Sequence, residues 1–198
     1  MKMRDNKLNT FAQIRQLPSP NNIVFGCALM QRMLPNYQLF SEACGFGDAK
    51  AAGSILNLVW DWCMSPKNKF NAPVQLENLE EIIPDVNDFE SFGVYPALDF
   101  CMALSSMLMG FSQEHDAVAV TIAKLSQGSV EAFIIASAED ELTNEQIKQA
   151  PLMEYEIATQ QSLLEYCRDN KINKDFVKEL RADLISQDIS NLGLSATP

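Results

Sequence analysis

The sequence predicts an all-α protein, with residues 1–198 forming a single-domain multi-helix bundle of about nine or ten helices. Apolar residues recur at spacings of three and four along nearly the whole chain, and the alternating pattern of a β-strand is absent. Proline, glycine and capping residues divide the chain into segments of helical length joined by short links. A chain of 198 residues can bury a core that needs no disulfide or metal to hold it.

The first two segments are separated by prolines. We expect a first helix over about Asn6 to Leu17, ended by Pro18. Ser19 as the N-cap and Pro20 in the first helical position predict a second helix, through IVFGCALMQRML. Because this helix is apolar on most sides, we expect it to be central. Pro35 is predicted to begin a separate short helix.

The segment GFGDAK, Gly45 to Lys50, has the glycines of a phosphate-binding loop but lacks its Gly-Lys-Ser/Thr ending. Asp48 would also repel a phosphate. A glycine C-cap followed by Asp48 as the N-cap of a helix to about Met64 explains the segment better. After a polar loop, VQLENLEEII predicts a further helix ended by Pro84.

The second half of the chain continues the helical pattern. FGVYPALDFCMALSSMLM, residues 92–109, predicts a buried helix, and Ser112 is predicted to start the next one, through VAVTIAKL and VEAFIIASA. The three remaining helix starts are marked by Thr143, which opens a TNEQ capping box, by Pro151 and by Asn173.

Composition and charge exclude several classes of function. The net charge of −11, from 26 acidic and 15 basic residues, disfavours nucleic acid and anionic membrane surfaces as partners. Asp61, Asp99 and Lys124 interrupt the longest apolar runs, so no membrane span is predicted. The N-terminus lacks the apolar core of a secretory signal, and five widely spaced cysteines without a CxxC pair indicate reduced, buried thiols. We therefore expect a soluble cytoplasmic protein.

The charges are segregated along the chain, since no lysine or arginine occurs between Phe70 and Ala123. One functional interpretation is an acidic patch for a basic protein partner or a metal. Another is a surface that pairs with the basic ends of a second copy, giving a homodimer. The interpretation that we favour is internal charge balance plus solubility, because surface ion pairs contribute little. The acidic residues of this stretch are Glu77, Glu80, Glu81, Asp85, Asp88, Glu90, Asp99, Glu114 and Asp116.

Two motifs that suggest metal sites are weak. His115 is the single histidine, which cannot supply a hydrolytic zinc site or a di-iron site, and its acidic neighbours indicate a solvated helix start. An EF-hand loop beginning at Asp85 would need an oxygen ligand at Phe89 and a glutamate at Pro96. A weak, irregular divalent site stays open there, and we expect no cofactor.

Asp99 is the most informative residue because it is a carboxylate inside an apolar helix. If Pro96 begins that helix, the helix dipole favours the anion, but by too little to offset burial of an unpaired carboxylate. We therefore expect Arg32 or Arg181 to pair with Asp99, with Tyr37 or Tyr95 adding a hydroxyl donor. These five residues are the candidate ligand-binding residues, and a structural ion pair is the favoured interpretation.

Three segments together resemble a known family. They are CALMQRMLPNYQLFSEACGFGD, FESFGVYPALDFCMAL and LRADLISQDISNLGLS, of which YPALD and LRADL are the most specific parts. Essentially the whole chain resembles the YjaG-type family of small bacterial proteins, a domain of unknown function. The resemblance implies a compact helical cytoplasmic protein and supplies no activity, substrate, cofactor or catalytic residue.

Two functional hypotheses follow. The favoured one is a non-enzymatic binding or interaction module that acts through a surface or a small-ligand pocket, because nucleophile, metal and phosphate constellations are missing. The alternative is an enzyme in which Asp99 acts as acid or base, Arg32 holds a small anionic substrate and Tyr95 completes the pocket.

Overall fold

The computed structural model of the protein describes residues 9–112 and 118–195. Within these ranges the chain forms nine α-helices and one 3-10 turn and contains no β-strand, which confirms the predicted all-α fold. The helices are α1 Thr10–Ile14, α2 Asn21–Cys44, α3 Ala49–Met64, α4 Ala72–Glu80, α5 Val94–Ser112, α6 Val118–Ala136, α7 Asn144–Gln149, α8 Pro151–Asp169 and α9 Lys174–Gln187, with the 3-10 turn at Val86–Asp88.

Helix α2 is the central element, as its apolar surface predicts. It packs against α3, α5, α6, α8 and α9, and its buried residues lie on every side of the helix. One contiguous apolar core extends from Ile14 to Leu184 around it. A helix that is apolar on all sides is stable in such a position, because each of its faces packs against a neighbouring helix.

The prediction that Pro35 starts a separate helix is wrong, because α2 runs uninterrupted through it to Cys44. Proline removes one backbone hydrogen bond to the preceding turn and crowds it. Here Pro35 and the residues from Arg32 to Tyr37 are all buried. Packing on five neighbouring helices therefore outweighs the local preference of proline for a helix start.

The predicted start of α2 is also corrected. The helix begins at Asn21, and Ser19 provides no cap. Backbone carbonyls accept from the first amides instead, since the Asn22 amide donates to Pro18 and the Val24 amide donates to Pro20.

Most predicted caps are confirmed. Gly45 adopts the left-handed conformation with φ 63° at the end of α2, and the Asp48 side chain accepts from the amides of Lys50 and Ala51 at the start of α3. Thr143 forms the capping box of α7 with Gln146. Pro151 is the first residue of α8, and Asn173 is the N-cap of α9, as predicted.

Three helices differ from their predicted bounds. Helix α1 ends at Ile14 rather than at Leu17. Helix α4 ends at Glu80, before the proline expected to end it. Helix α5 begins at Val94, so Pro96 is its third residue rather than its first. Proline is tolerated there because amides of the first turn have no partner within the helix. The prediction that Ser112 starts the next helix is wrong, because Ser112 is the last residue of α5, while α6 is described from Val118 and residues 113–117 lie outside the described ranges.

Helices α5 and α6 are long and apolar enough to cross a membrane by length and composition alone. No membrane span was predicted from the sequence because Asp99 and Lys124 interrupt the apolar runs, but both helices meet the length and composition criteria with these charges included. Core helices have the same composition, and α5 packs against α2, α4 and α6 within the bundle.

Candidate functional site

Arg32 and Glu156 form a buried ion pair at the centre of the bundle. Arg32 Nη1 donates to Glu156 Oε2 at 2.6 Å, and the two side chains are 5% and 0% exposed. Helix α2 supplies the arginine and α8 supplies the glutamate. Two buried charges are tolerated only when they are paired and their remaining hydrogen-bonding capacity is used.

Neighbouring side chains complete the hydrogen bonding of Glu156. Its Oε1 accepts from Ser126 Oγ at 2.7 Å and from Gln160 Nε2 at 2.7 Å. Gln160 Nε2 also donates to the Ala123 carbonyl, and Gln160 Oε1 accepts from Gln127. The carboxylate is therefore fixed by three elements, α2, α6 and α8.

The segment after α9 closes this network. Asn191 is fully buried, and its Nδ2 donates to the carbonyl and the hydroxyl of Ser126 at 3.0 and 3.1 Å. Its backbone amide donates to the Arg32 carbonyl, and its Oδ1 accepts from Asn36 Nδ2 at 2.8 Å. We call Arg32, Asn36, Ser126, Glu156, Gln160 and Asn191 the buried polar network.

The predicted ion pair between Asp99 and Arg32 or Arg181 is wrong. Asp99 is half-buried and its Oδ2 accepts from Ser129 Oγ at 2.6 Å, whereas Arg32 is committed to Glu156. Burial raises the pKa of Asp99 above its ordinary range, and the Ser129 hydrogen bond opposes this in part. Asp99 also lies in the second turn of α5, where the helix dipole is weak.

The two tyrosines also lie apart from a common site. Tyr37 is buried, and its hydroxyl donates to the Ile82 carbonyl at 2.9 Å, while burial raises its pKa to about 12. Tyr95 is 50% exposed and its ring contacts Phe92. Neither hydroxyl is hydrogen-bonded to Asp99.

Arg181 occupies a different environment from Arg32. Its guanidinium lies over the Trp60 ring at 5.9 Å, and its Nη2 donates to Asn57 Oδ1. No carboxylate lies within ion-pair distance of it in the described parts of the chain. Its Nε is buried and has no acceptor among the described residues. The positive charge is thus positioned by a ring and an amide and pairs with no carboxylate in the described ranges.

A cleft of about 830 Å³ opens beside Arg181, between α2, α3 and α9. Its volume falls within the range of small-molecule sites, which is roughly 300–1,000 Å³. The cleft combines an apolar floor with polar walls. The lining residues are Gln31, Leu34, Pro35, Gln38, Ser41, Glu42, Ala49, Lys50, Gly53, Ser54, Asn57, Arg181, Leu184, Ile185, Asp188 and Ile189. We refer to it as the α2/α3/α9 cleft.

Of the five predicted site residues, only Arg181 lines this cleft. Asp99, Arg32 and Tyr95 each contact a different group, so the described structure does not assemble the pocket of the enzyme hypothesis. Sequence reasoning missed Glu156. A signal was present, because Met153, Glu156, Gln160 and Leu164 follow helical spacing and form a buried stripe in which two positions are polar.

The acidic stretch forms an exposed surface on α4 and the loop after it, where Glu77, Glu80, Glu81, Asp85, Asp88 and Glu90 are all exposed. Asp85 has a local role, since its Oδ1 accepts from the backbone and side-chain amides of Asn87 and caps the 3-10 turn. A basic partner and a second copy on this surface stay predictions. The weak divalent site receives no support, because the described residues contain no group of three or more histidine, cysteine or acidic side chains that could hold a metal ion. His115, Glu114 and Asp116 lie outside the described residues.

All five cysteines are free, and four of them are buried. The sulfur atoms of Cys27 and Cys63 lie 3.8 Å apart. Burial raises the pKa of Cys101 and of Cys167 to about 12, and burial with the nearby Cys63 thiol raises the pKa of Cys27. Few thiolates therefore form at these positions near neutral pH.

Comparison with known proteins identifies relatives over nearly the whole chain. The family described as "Protein of unknown function (DUF416)" matches residues 9–195. The "Uncharacterized protein YjaG" of Escherichia coli K12 is 37% identical over 189 residues, which cover 92% of this chain and 94% of that protein. An "Uncharacterized protein" of Haemophilus influenzae is 33% identical over 187 residues, with the same shares of each chain.

A crystal structure is similar as well. A protein of the DUF416 family from Shewanella baltica OS155, solved at 1.91 Å resolution, superposes with a TM-score of 0.90 at 41% identity. The match covers 96% of this chain and 100% of that one. The family resemblance found in the three sequence segments is thereby confirmed.

Proposed function

Because the chain belongs to the DUF416 family, which is described by no activity, we propose a function from the geometry of the α2/α3/α9 cleft. The protein is a non-enzymatic binding module, and the cleft holds a small ligand that combines a carboxylate with an apolar body. This proposal makes the favoured sequence hypothesis more specific by naming the site and the chemical class of its ligand.

The observation that carries the proposal is the uncompensated charge of Arg181. A guanidinium offers five N–H donors, and the hydrogen bond of Arg181 to Asn57 uses one side of the group only. An arginine edge matches the two oxygens of a carboxylate, which is why arginine is used to recognise such groups. The Trp60 ring beneath the guanidinium restricts its orientation.

The rest of the ligand is predicted from the floor of the cleft. Leu34 and Leu184 are nearly buried there, while Ile185 and Ile189 are 52% and 51% exposed beside them. Covering these side chains with an apolar ligand body removes their surface from water, at about 25 cal/mol per Å². Gln31, Gln38 and Asn57 provide amide groups that can orient a polar substituent.

The net negative charge of the protein opposes the binding of an anionic ligand, so binding in the cleft needs a positive side chain there. A net charge of −11 repels anions at long range, and Glu42 and Asp188 also line the cleft. An anion is held there only through close contact with a positive group. Lys50 also lines the cleft but is exposed to solvent, so affinity is expected to depend chiefly on Arg181, which the Trp60 ring and Asn57 hold in place.

The proposal is tested by calorimetric titration with 4-phenylbutyrate, a carboxylate with an apolar body. The neutral 4-phenylbutanamide serves as the matched probe. We expect the acid to bind at least about tenfold more tightly than the amide, because charge-assisted hydrogen bonds contribute about 1.5–3 kcal/mol. Arg181→Gln should remove this preference.

Arg168→Gln is the control, because Arg168 pairs with its exposed neighbour Asp169 and does not line the cleft. This variant should bind like the unmodified protein. If the acid binds no more tightly than the amide, or if Arg181→Gln binds the acid as the unmodified protein does, the proposal is wrong.

A further inference from the structure

The face of α9 that lines the α2/α3/α9 cleft carries opposite charges at its two ends. Four of its residues line the cleft, namely Arg181, Leu184, Ile185 and Asp188. Their spacings of three, one and three place them on the same side of the helix. Arg181 and Asp188 are two turns apart, which is about 10 Å along the helix axis. The order along this face is therefore a cation, two apolar side chains and a carboxylate. We call these four residues the α9 stripe.

Asp188 occupies a position where the backbone favours glycine. It follows the last residue of α9 in the left-handed conformation, with φ 43°, and is the one non-glycine residue with a positive φ in the described ranges. Helices that end in this conformation mostly use glycine there, because a side chain adds strain. A carboxylate is present in spite of this cost, which indicates a role for the side chain.

The end of α9 at Asp188 is suited to a positively charged group. The carbonyl groups of the last turn form the negative pole of the helix dipole, and this turn of α9 contains no basic residue. The Asp188 carboxylate adds a negative charge at the same place. Its Oδ2 accepts from Ser195 Oγ at 2.7 Å, and this hydroxyl orients the carboxylate without adding a positive charge. A cationic group of a ligand is therefore favoured at this end of the cleft.

Two further charged side chains of the cleft balance each other. Glu42 from α2 and Lys50 from α3 are both exposed and line the cleft. Because their charges are opposite, they add no net charge, and solvent screens each of them. Arg181 and Asp188 therefore determine which end of a ligand is favoured at each end of the α9 stripe.

We infer that the ligand of the cleft is a zwitterion, with its carboxylate at Arg181, its ammonium group at Asp188 and its apolar chain along the two side chains between them. The chemical class is that of linear ω-amino acids, which carry the two charged groups at opposite ends of an unbranched chain. An α-amino acid does not fit, because both of its charged groups are attached to one carbon and do not span two helical turns. This inference rests on the proposed function, and it explains why Asp188 lines a cleft for a carboxylate.

The probe is 8-aminooctanoate, and nonanoate is its partner of the same length with a methyl group in place of the ammonium group. Binding of both to the full chain is measured by calorimetry. Without an acceptor for the ammonium group, nonanoate would bind more tightly, because a methyl group gains from leaving water and an ammonium group does not. We expect the opposite order, with 8-aminooctanoate at least about fivefold tighter, because its ammonium group donates to the Asp188 carboxylate.

Asp188→Asn tests the location of the ammonium group. The change removes the charge and keeps the shape, and asparagine tolerates the left-handed conformation and can still accept from Ser195. This variant should bind nonanoate at least as tightly as 8-aminooctanoate. Glu42→Gln is the matched control, because it removes one negative charge from an exposed side chain of the same cleft. It should keep the preference for 8-aminooctanoate, which separates contact with Asp188 from the general attraction of an acidic protein for cations.

Three results would overturn the inference. They are 8-aminooctanoate binding no more tightly than nonanoate to the unmodified protein, a preference that persists in Asp188→Asn, and a preference that is lost in Glu42→Gln. Nonanoate reports on the proposed function by itself, since Arg181→Gln should weaken its binding at least about tenfold. If nonanoate binding depends on Arg181 but the ammonium group adds nothing, the inference alone fails. If nonanoate binding does not depend on Arg181, the proposed function fails and the inference fails with it.

Discussion

Arg32 and Arg181 are held in opposite ways. Arg32 lies at the centre of α2, is 5% exposed and forms an ion pair with Glu156 that Ser126 and Gln160 support. Arg181 lies on α9 at a cleft, contacts a ring and an amide, and has no ion-pair partner among the described residues. The charge of Arg32 is compensated by Glu156, whereas that of Arg181 is available, under the proposed function, to the carboxylate of a ligand.

The comparison separates structural charges from candidate binding charges. Burial alone does not distinguish them, since both residues are withdrawn from water to some degree. What distinguishes them is whether the protein itself uses the donors of the guanidinium. Removing Arg32 or its partner should therefore affect folding, whereas removing Arg181 should affect binding.

The largest effect is expected from Glu156→Gln. This change leaves the Arg32 guanidinium buried without a counter-charge, which costs about 3–5 kcal/mol of the free energy of unfolding. Urea denaturation followed by circular dichroism measures it. Glu154→Gln, at an exposed position on the same helix, is the control and should change stability by less than about 0.5 kcal/mol. An equal effect of the two changes would show that the pair is not structural.

A smaller loss is expected from Asn191→Ala. The change removes the amide that bridges Ser126 and Asn36 and leaves their buried groups unpaired, at about 1–3 kcal/mol. Asn170→Ala provides the comparison, because the Asn170 side chain makes a single exposed hydrogen bond to the Tyr166 carbonyl. If both variants unfold at the same urea concentration, the segment after α9 does not stabilise the network.

Arg181→Gln should change the free energy of unfolding by less than about 1 kcal/mol. The residue contributes a contact with the Trp60 ring and a hydrogen bond to Asn57 but no ion pair among the described residues, so its removal costs little. Arg32→Gln, measured in the same urea titration, should be several times more destabilising. A large loss of stability in Arg181→Gln would remove the contrast between the two arginines.

The smallest effect concerns Asp99 and depends on pH. Burial raises the pKa of Asp99 in the folded protein above its value in the unfolded chain, so the ionised carboxylate destabilises the fold. As the pH falls through the folded pKa, the native protein takes up this proton first and gains stability relative to the unfolded chain. Asp99→Asn should therefore be slightly more stable than the unmodified protein at pH 7, and this advantage should shrink at acidic pH.

Urea titrations of the unmodified protein and of Asp99→Asn between pH 7 and pH 4 measure the difference in their free energies of unfolding. The other carboxylates are the same in both proteins, so their contribution cancels in this difference. An Asp99→Asn variant that is less stable at pH 7 would indicate that the ionised carboxylate is favoured by its surroundings.

The helices were predictable because their signals are local. Asp48, Thr143 and Asn173 hydrogen-bond to amides two or three residues away, so their role can be read from the adjacent sequence. The prediction failed at Pro35, where the local preference for a helix start competes with packing from five other helices. The spacing of residues in the sequence carries no information about the stabilisation that this packing gives.

The candidate sites were less predictable because they depend on pairings across the chain. Arg32 was predicted as a partner of Asp99, but the carboxylate that it pairs with is Glu156, 124 positions away. Arg181 was named among the candidates without its cleft, which exists only where α2, α3 and α9 meet.

The closure of the buried polar network by Asn191 has a consequence for synthesis on the ribosome. Chains are made from the N-terminus and begin to fold as they emerge. Arg32 is made 124 residues before Glu156, and Asn36 is made 155 residues before Asn191. Throughout that interval α2 carries a charge and an amide that have no final partners. The central helix of the fold is therefore among the first segments to be translated and among the last to be completed.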